Sequence, residues 1–147
     1  ERAAPAPGVL EAIQSADQVI ICPSNPWVSV DPILALPGLR EALLAGAPVI
    51  AVSPIIGGKT VKGPAAKMYS ELGIQPSALA VARHYGSRWT GGILSGFVLD
   101  QVDKGQEADI TAHRIRPYVT QTLMETAQDR LRLAQEVLEF AQRITCP

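Results

Sequence analysis

The sequence predicts an α/β fold, a mainly parallel sheet flanked by helices, and three observations predict it. Short apolar runs at residues 18–22, 47–52, 96–100 and 118–122 alternate with segments of helical periodicity. No two runs are joined by a clear hairpin signal. The loops after the first two runs are rich in Gly, Pro, Ser and Asn, and in parallel sheets ligands sit at the carboxyl ends of strands.

Each element has its own reason. Residues 9–15 read as a short helix, with Val9, Leu10 and Ile13 on one face. Residues 18–22 form a strand, and residues 23–29 a loop whose two prolines bar continued helix or ladder pairing. Residues 31–36 form a helical turn capped by Asp31, with Pro32 at its first position. Residues 37–45 are a helix closed by Gly46, and 47–52 a second strand. Residues 64–72 are a helix closed by Gly73, and 77–85 a helix capped by Ser77. Residues 87–95 are Gly-rich and irregular. Residues 96–100 are a third strand, 105–113 a helix, and 118–122 a fourth, β-branched strand. Residues 126–144 are a long amphipathic helix that offers Leu131, Leu133, Ala134, Val137, Leu138 and Ala141 to the core.

Composition narrows the class. A length of 147 residues suits one domain, and 47% apolar residues supply a real core. A net charge of −1 argues against binding nucleic acid through a broad basic face. No apolar run approaches the roughly 20 residues of a membrane span, and no secretory signal is visible. The two cysteines, Cys22 and Cys146, make no disulfide framework. A reduced, cytoplasmic setting is the expectation, with Cys22 a buried structural thiol. The opening Glu1-Arg-Ala-Ala-Pro-Ala-Pro7, without a starting Met, reads as the interior of a longer polypeptide.

Two loops could carry chemistry. The first is Ser53-Pro-Ile-Ile-Gly-Gly-Lys-Thr-Val-Lys-Gly-Pro-Ala-Ala-Lys-Met68. Gly57, Gly58 and Gly63 let backbone N–H groups approach a ligand, and Lys59 and Lys62 add positive charge before a helix start, a combination that suits phosphate. It fits neither the P-loop nor the Gly-x-Gly-x-x-Gly pattern, and solvated lysines on an ordinary strand-to-helix loop account for it equally well. The second loop carries Ser24, Asn25 and Ser29. Asn suits a nucleobase edge and Ser suits phosphate or ribose, although turn chemistry explains the same residues and is favoured.

The remaining polar residues point to bland roles. His84 and His113 lack metal-ligand spacing, and His84 is expected to meet the carbonyls that end its helix. Asp100 and Asp103 could hold Mg2+, but a solvated turn is favoured. Trp27, Trp89 and Tyr85 could wall a flat aromatic substrate, with Trp27 the better candidate because it sits inside the Ser/Asn loop.

Several motifs together carry a resemblance. Pro7-Gly-Val-Leu-Glu-Ala-Ile13, Val19-Ile-Ile-Cys-Pro-Ser-Asn-Pro26, Pro32-Ile-Leu-Ala-Leu-Pro-Gly-Leu-Arg40 and Ala47-Pro-Val-Ile-Ala-Val-Ser-Pro-Ile-Ile-Gly-Gly58 resemble the 2-phospho-L-lactate transferase family of the CofD type. Lys62-Gly-Pro-Ala-Ala-Lys-Met68, Gly96-Phe-Val-Leu-Asp100 and the helix over residues 129–140 extend the likeness along nearly the whole chain. The resemblance implies a Rossmann-like sheet. It implies transfer of a phospholactyl or phosphoenolpyruvyl group from a guanosine-diphosphate conjugate to the deazaflavin alcohol Fo, with loss of GMP, in coenzyme F-420 biosynthesis.

By the same resemblance residues 1–147 match the C-terminal half of such a transferase. The family's Gly-rich nucleotide loop and the ligands of its Mg2+ are expected in an N-terminal half, so the chain alone is expected to be inactive. The residues implied to bind substrate and phosphate are Ser24, Asn25, Ser29, Gly57, Gly58, Lys59, Lys62 and Gly63, with no general base and no metal ligand among them. The implied partners are small molecules, not nucleic acid or membrane, and a homo-oligomer is left open. A related regulatory family that binds nucleotide sugars, the gluconeogenesis factors, is the alternative. Its corresponding loop reads Gly-Pro-Gly-Ser, and Pro23-Ser-Asn-Pro26 favours the transferase. An inert half-domain is a third reading.

Overall fold

The computed structural model describes residues 3–60, 68–69 and 71–144. In chain order, α1 (Val9–Gln14) leads to β1 (Val19–Ile21), then α2 (Asp31–Leu34), α3 (Leu39–Ala45) and β2 (Val49–Val52). A small hairpin follows, β3 (Ile55–Ile56) and β4 (Lys59–Thr60), and then α4 (Ala78–Tyr85). The chain closes with β5 (Gly96–Asp100), α5 (Glu107–Ala112), β6 (Arg116–Thr120) and α6 (Ala127–Gln142). Four strands pair in the order β1-β2-β5-β6, every pair parallel. The expected α/β class is therefore the observed one, Rossmann-like in its parallel sheet and flanking helices.

The period of two in a strand sorts the apolar residues into two cores. Val49, Ala51, Phe97 and Leu99 face a core closed by Leu34, Leu43, Val81 and Ile110 from the helices of that side. Ile50, Val52 and Val98 face the other core, which α6 closes with Leu133, Val137 and Phe140. Burial on both faces is why the central strands read as unbroken apolar runs. Gly96 gives room to α6 and the residues just after it: a Cβ there would lie 2.9 Å from Phe140 Cε1 and 2.5 Å from Ile144 Cδ1.

Caps explain several boundaries. Ser77 accepts the Ala80 N–H and starts α4, as the sequence predicts. Thr126 and Asp129 form a reciprocal capping box at the start of α6. The Thr126 N–H and hydroxyl hold the Asp129 carboxyl below the usual carboxylate range.

Other expectations are corrected. A two-residue hairpin exists: Gly57 and Gly58, at φ 57° and 73°, make the turn between β3 and β4, as positive φ at both central residues requires. The loop over residues 23–29 is partly helical, with Pro26–Val30 forming a π-helical turn that Pro26 can open because the first N–H of a helix needs no partner. Asp31 caps nothing, since Val30 occupies that position. The fourth strand lies two residues earlier than predicted. Pro117 is tolerated there because β6 is an edge strand. On α6, Leu131 and Leu138 are 52% and 43% exposed rather than in the core. The helix expected over residues 64–72 falls mostly outside the described residues.

Candidate functional site

A cavity of about 510 Å3 opens at the carboxyl ends of the parallel strands. Pro23, Ser24, Asn25 and Ser29 reach it from the segment after β1. Residues 53–56 and Thr60 reach it from β2 and the hairpin. Thr122, Leu123 and Met124 reach it from the segment after β6, and Arg130 from the first turns of α6. Tyr69 completes the described lining.

Local chemistry shapes each wall. Asn25 is extended, as a residue before proline prefers. Its Oδ1 accepts the N–H groups of Trp27 (3.0 Å) and Val28 (3.4 Å), capping the π-helical turn. Asn25 thus performs the favoured turn chemistry and lines the cavity as well. Among the described residues its Nδ2 reaches only the Met68 sulfur, at 3.5 Å. The Ser53 hydroxyl donates to the Ile55 carbonyl (2.9 Å) and accepts the Ile55 N–H (3.1 Å), which sets the direction of the chain into the hairpin.

The third wall is held by a buried carboxylate. Asp100, at the end of β5, is 4% exposed. It accepts the Thr122 N–H (2.7 Å), the Thr122 hydroxyl (2.9 Å) and the Val102 N–H (3.0 Å). Burial pushes its carboxyl up, but the hydrogen bonds from Val102, Thr122 and Leu123 outweigh burial and hold it below the usual range. Asp103 is also buried; it accepts the Gly57 N–H (2.9 Å) and the Gln106 side-chain amide (3.0 Å). The favoured solvated turn for this pair is therefore corrected. Both carboxylates already have chain donors, and they brace two walls of the cavity.

The predicted binding residues separate into three groups. Ser24, Asn25 and Ser29 line the cavity together. Gly57, Gly58 and Lys59 sit on the hairpin turn outside the lining, with Lys59 exposed and the Gly57 N–H already bonded to Asp103. Lys62 and Gly63 lie outside the described residues.

Trp27 packs edge-on against Tyr69, with ring centroids 4.6 Å apart, and against His84 at 5.4 Å, and it does not line the cavity. Among the described residues His84 meets no helix carbonyl and instead bonds both Asp31 oxygens at 2.9 and 3.0 Å. Cys22, expected to be buried, is exposed.

Tyr69 and Arg130 are among the lining residues that escaped the sequence reading. Tyr69 is 1% exposed, and its hydroxyl has no hydrogen-bond partner among the described residues. Burial pushes its phenol up to about 12, so it stays protonated at neutral pH. Arg130 is the only charged residue of the described lining. Its helix was legible, but nothing in the periodicity places that helix start beside the loops of residues 23–29 and 53–56.

The donor set does not fit Mg2+. Among the described residues no carboxylate lines the cavity and no group of three His, Cys, Asp or Glu could take a metal ion. Mg2+ needs carboxylate or phosphate oxygens in a near-octahedral shell.

A family model described as 2-phospho-L-lactate transferase CofD matches residues 1–143. The chain belongs to the CofD family. Among its curated relatives in this family is a phosphoenolpyruvate transferase of Streptomyces griseus, 45% identical over 145 residues, which covers 98% of this chain and 44% of that protein. The protein of the same name in Streptomyces coelicolor is 41% identical with the same coverage. That of Mycobacterium avium is 47% identical over 117 residues, 79% of this chain and 34% of that protein. The chain thus spans less than half the length of these CofD relatives. No helix among the described residues is long and apolar enough to cross a membrane.

Proposed function

We propose that this chain forms one wall of the substrate site of a CofD-family transferase acting in coenzyme F-420 biosynthesis. The group moved is phosphoenolpyruvyl, which the shared name of the relatives supports over phospholactyl. The hydroxyl of Fo attacks the phosphorus that bears the enolpyruvyl group. Its bond to the bridging oxygen of the diphosphate breaks, GMP leaves, and the hydroxyl proton passes to solvent. Such a transfer depends on alignment and charge neutralisation more than on covalent help.

One observation carries this reading. The cavity lies at the carboxyl ends of β1 and β2, where the Ser24, Asn25 and Ser29 loop meets residues 53–56, inside the region that the family model matches. The side chains of Ser24 and Ser29 have no hydrogen-bond partner among the described residues and are open to orient substrate. Prolines 23, 26 and 54 with Ile55, Ile56, Leu123 and Met124 give apolar walls for a flat ring.

The test has two parts. In a full-length transferase carrying this region, Ser24→Ala with Ser29→Ala is expected to raise KM for Fo or for the guanosine conjugate about tenfold, the size of one or two neutral hydrogen bonds. The 147-residue chain alone, assayed with both substrates and Mg2+, is expected to give no turnover. Unchanged kinetics in the double variant would remove the cavity from the reaction, and turnover by the chain alone would show that the machinery is complete within it.

A further inference from the structure

The cavity has a charged pole that the reading above does not use. Arg130 lies on α6, a helix of 16 residues that starts from a satisfied capping box. Its own N–H closes on the Thr126 carbonyl at 3.4 Å. Its guanidinium makes no hydrogen bond or ion pair with the described residues.

Neighbouring arginines are all engaged. Arg132 bonds Glu136 and the Gln121 carbonyl, and Arg116 bonds the Arg143 carbonyl. Asp129, next to Arg130 in the chain, is taken by the Thr126 N–H (2.8 Å), the Thr126 hydroxyl (2.7 Å) and the Glu125 N–H (3.2 Å). Arg130 is therefore an exposed cation, unpaired among the described residues, facing a cavity whose other described polar groups are neutral.

We propose that Arg130 binds an oxyanion of the transferase's donor substrate and is a specificity-determining residue of this site, an inference that rests on the transferase reading. A guanidinium grips a planar carboxylate or a phosphate through two parallel N–H bonds, which a lysine ammonium cannot reproduce. The donor offers both chemistries, the enolpyruvyl carboxylate and the diphosphate. Lys59 stands outside the lining, so among the described residues Arg130 is the charge that meets an anion inside the cavity.

The experiment uses Arg130→Gln and Arg130→Lys in a full-length transferase carrying this region. KM for the donor is expected to rise roughly ten- to a hundredfold in the Gln variant, the loss of a charge-assisted contact. KM for Fo and the thermal midpoint stay unchanged, because Arg130 holds nothing else in place. The Lys variant recovers only part of the loss.

Calorimetric titration with GDP separates the two anions. Equal weakening of GDP assigns Arg130 to phosphate, and unchanged GDP binding beside a raised donor KM assigns it to the carboxylate. Unchanged donor KM and GDP affinity would overturn the proposal, as would a lowered thermal midpoint with both substrates weakened alike. A wild-type protein that binds GDP in an Arg130-dependent way yet transfers nothing to Fo would overturn the transferase reading while keeping the anion site.

Discussion

Asp100→Ala is expected to lower the unfolding free energy by about 3–5 kcal/mol. The substitution leaves the Thr122 N–H and hydroxyl and the Val102 N–H without their acceptor, together with the weaker Leu123 N–H contact. Thr122 is 4% exposed, so water cannot replace the lost acceptor there without rearrangement. Each stranded donor costs about 1–3 kcal/mol. Asp100→Asn keeps one accepting oxygen but turns an amide N–H₂ toward donors, and about 1–3 kcal/mol is expected.

The acid limb of stability carries the same signature. The carboxyl titrates lower in the folded chain than in the unfolded one. Its contribution is therefore complete above the unfolded value, near 4, and is lost as pH falls through that value toward the folded one. Urea unfolding at pH 7 and in the acid range measures both effects. An Asp100→Ala variant within 1 kcal/mol of wild type, or an Asp100→Asn variant with an undiminished acid limb, would refute this account of the wall.

Gly92→Ala is expected to cost about 3 kcal/mol or more, a large figure for one methyl group. A Cβ at Gly92 would lie 2.2 Å from the Gly86 carbonyl carbon and 2.4 Å from its Cα. Those atoms are backbone and cannot swing aside. Gly86 is itself fixed, since its carbonyl accepts the N–H groups of Ile93 (3.0 Å) and Leu94 (2.9 Å), whose side chains are fully buried. Relief would have to move two core residues. Gly105→Ala is the control, with no atom within 4 Å and no positive φ; a change near zero is expected. If thermal unfolding shows the two variants alike, the close approach of the two glycines is not real.

The parallel class and the central strands were legible because burial on both faces leaves an unmistakable apolar run, as at Val49–Val52 and Gly96–Asp100. The Ser77 cap was legible for a local reason, a single side chain bonding its own helix. The hairpin was missed although Gly57 and Gly58 stand between two β-prone pairs, because strands of two residues carry too little pattern. Part of the cavity lining was visible, Ser24, Asn25 and Ser29, since loops after strands announce themselves. Another part, Thr122 to Met124 and Arg130, follows from which strand ends neighbour which, and that is a property of strand order. Lys59 reads as part of a phosphate loop because a charge beside glycines has that look, while the two-residue turn leaves it exposed and outside the described lining of the cavity.

The order of the sheet also sets a sequence of events in time. β1 with β2, and β5 with β6, are each joined by a modest crossover, whereas β2 and β5 pair Ile50 with Gly96 across the whole hairpin and α4 region. Loop closure makes the long pairing the slowest to nucleate. The cavity straddles that seam: Ser24, Asn25 and residues 53–56 come from one side of it, Thr122 to Met124 and Arg130 from the other. We predict that during refolding the amides bonded between β5 and β6 gain exchange protection first. The Ser53 N–H, which crosses the seam to the Val98 carbonyl at 2.9 Å, follows later, and simultaneous protection would rule this order out. On this order the binding cavity becomes complete only at the last step of folding, so a chain stalled before that step keeps most of its secondary structure and none of its site.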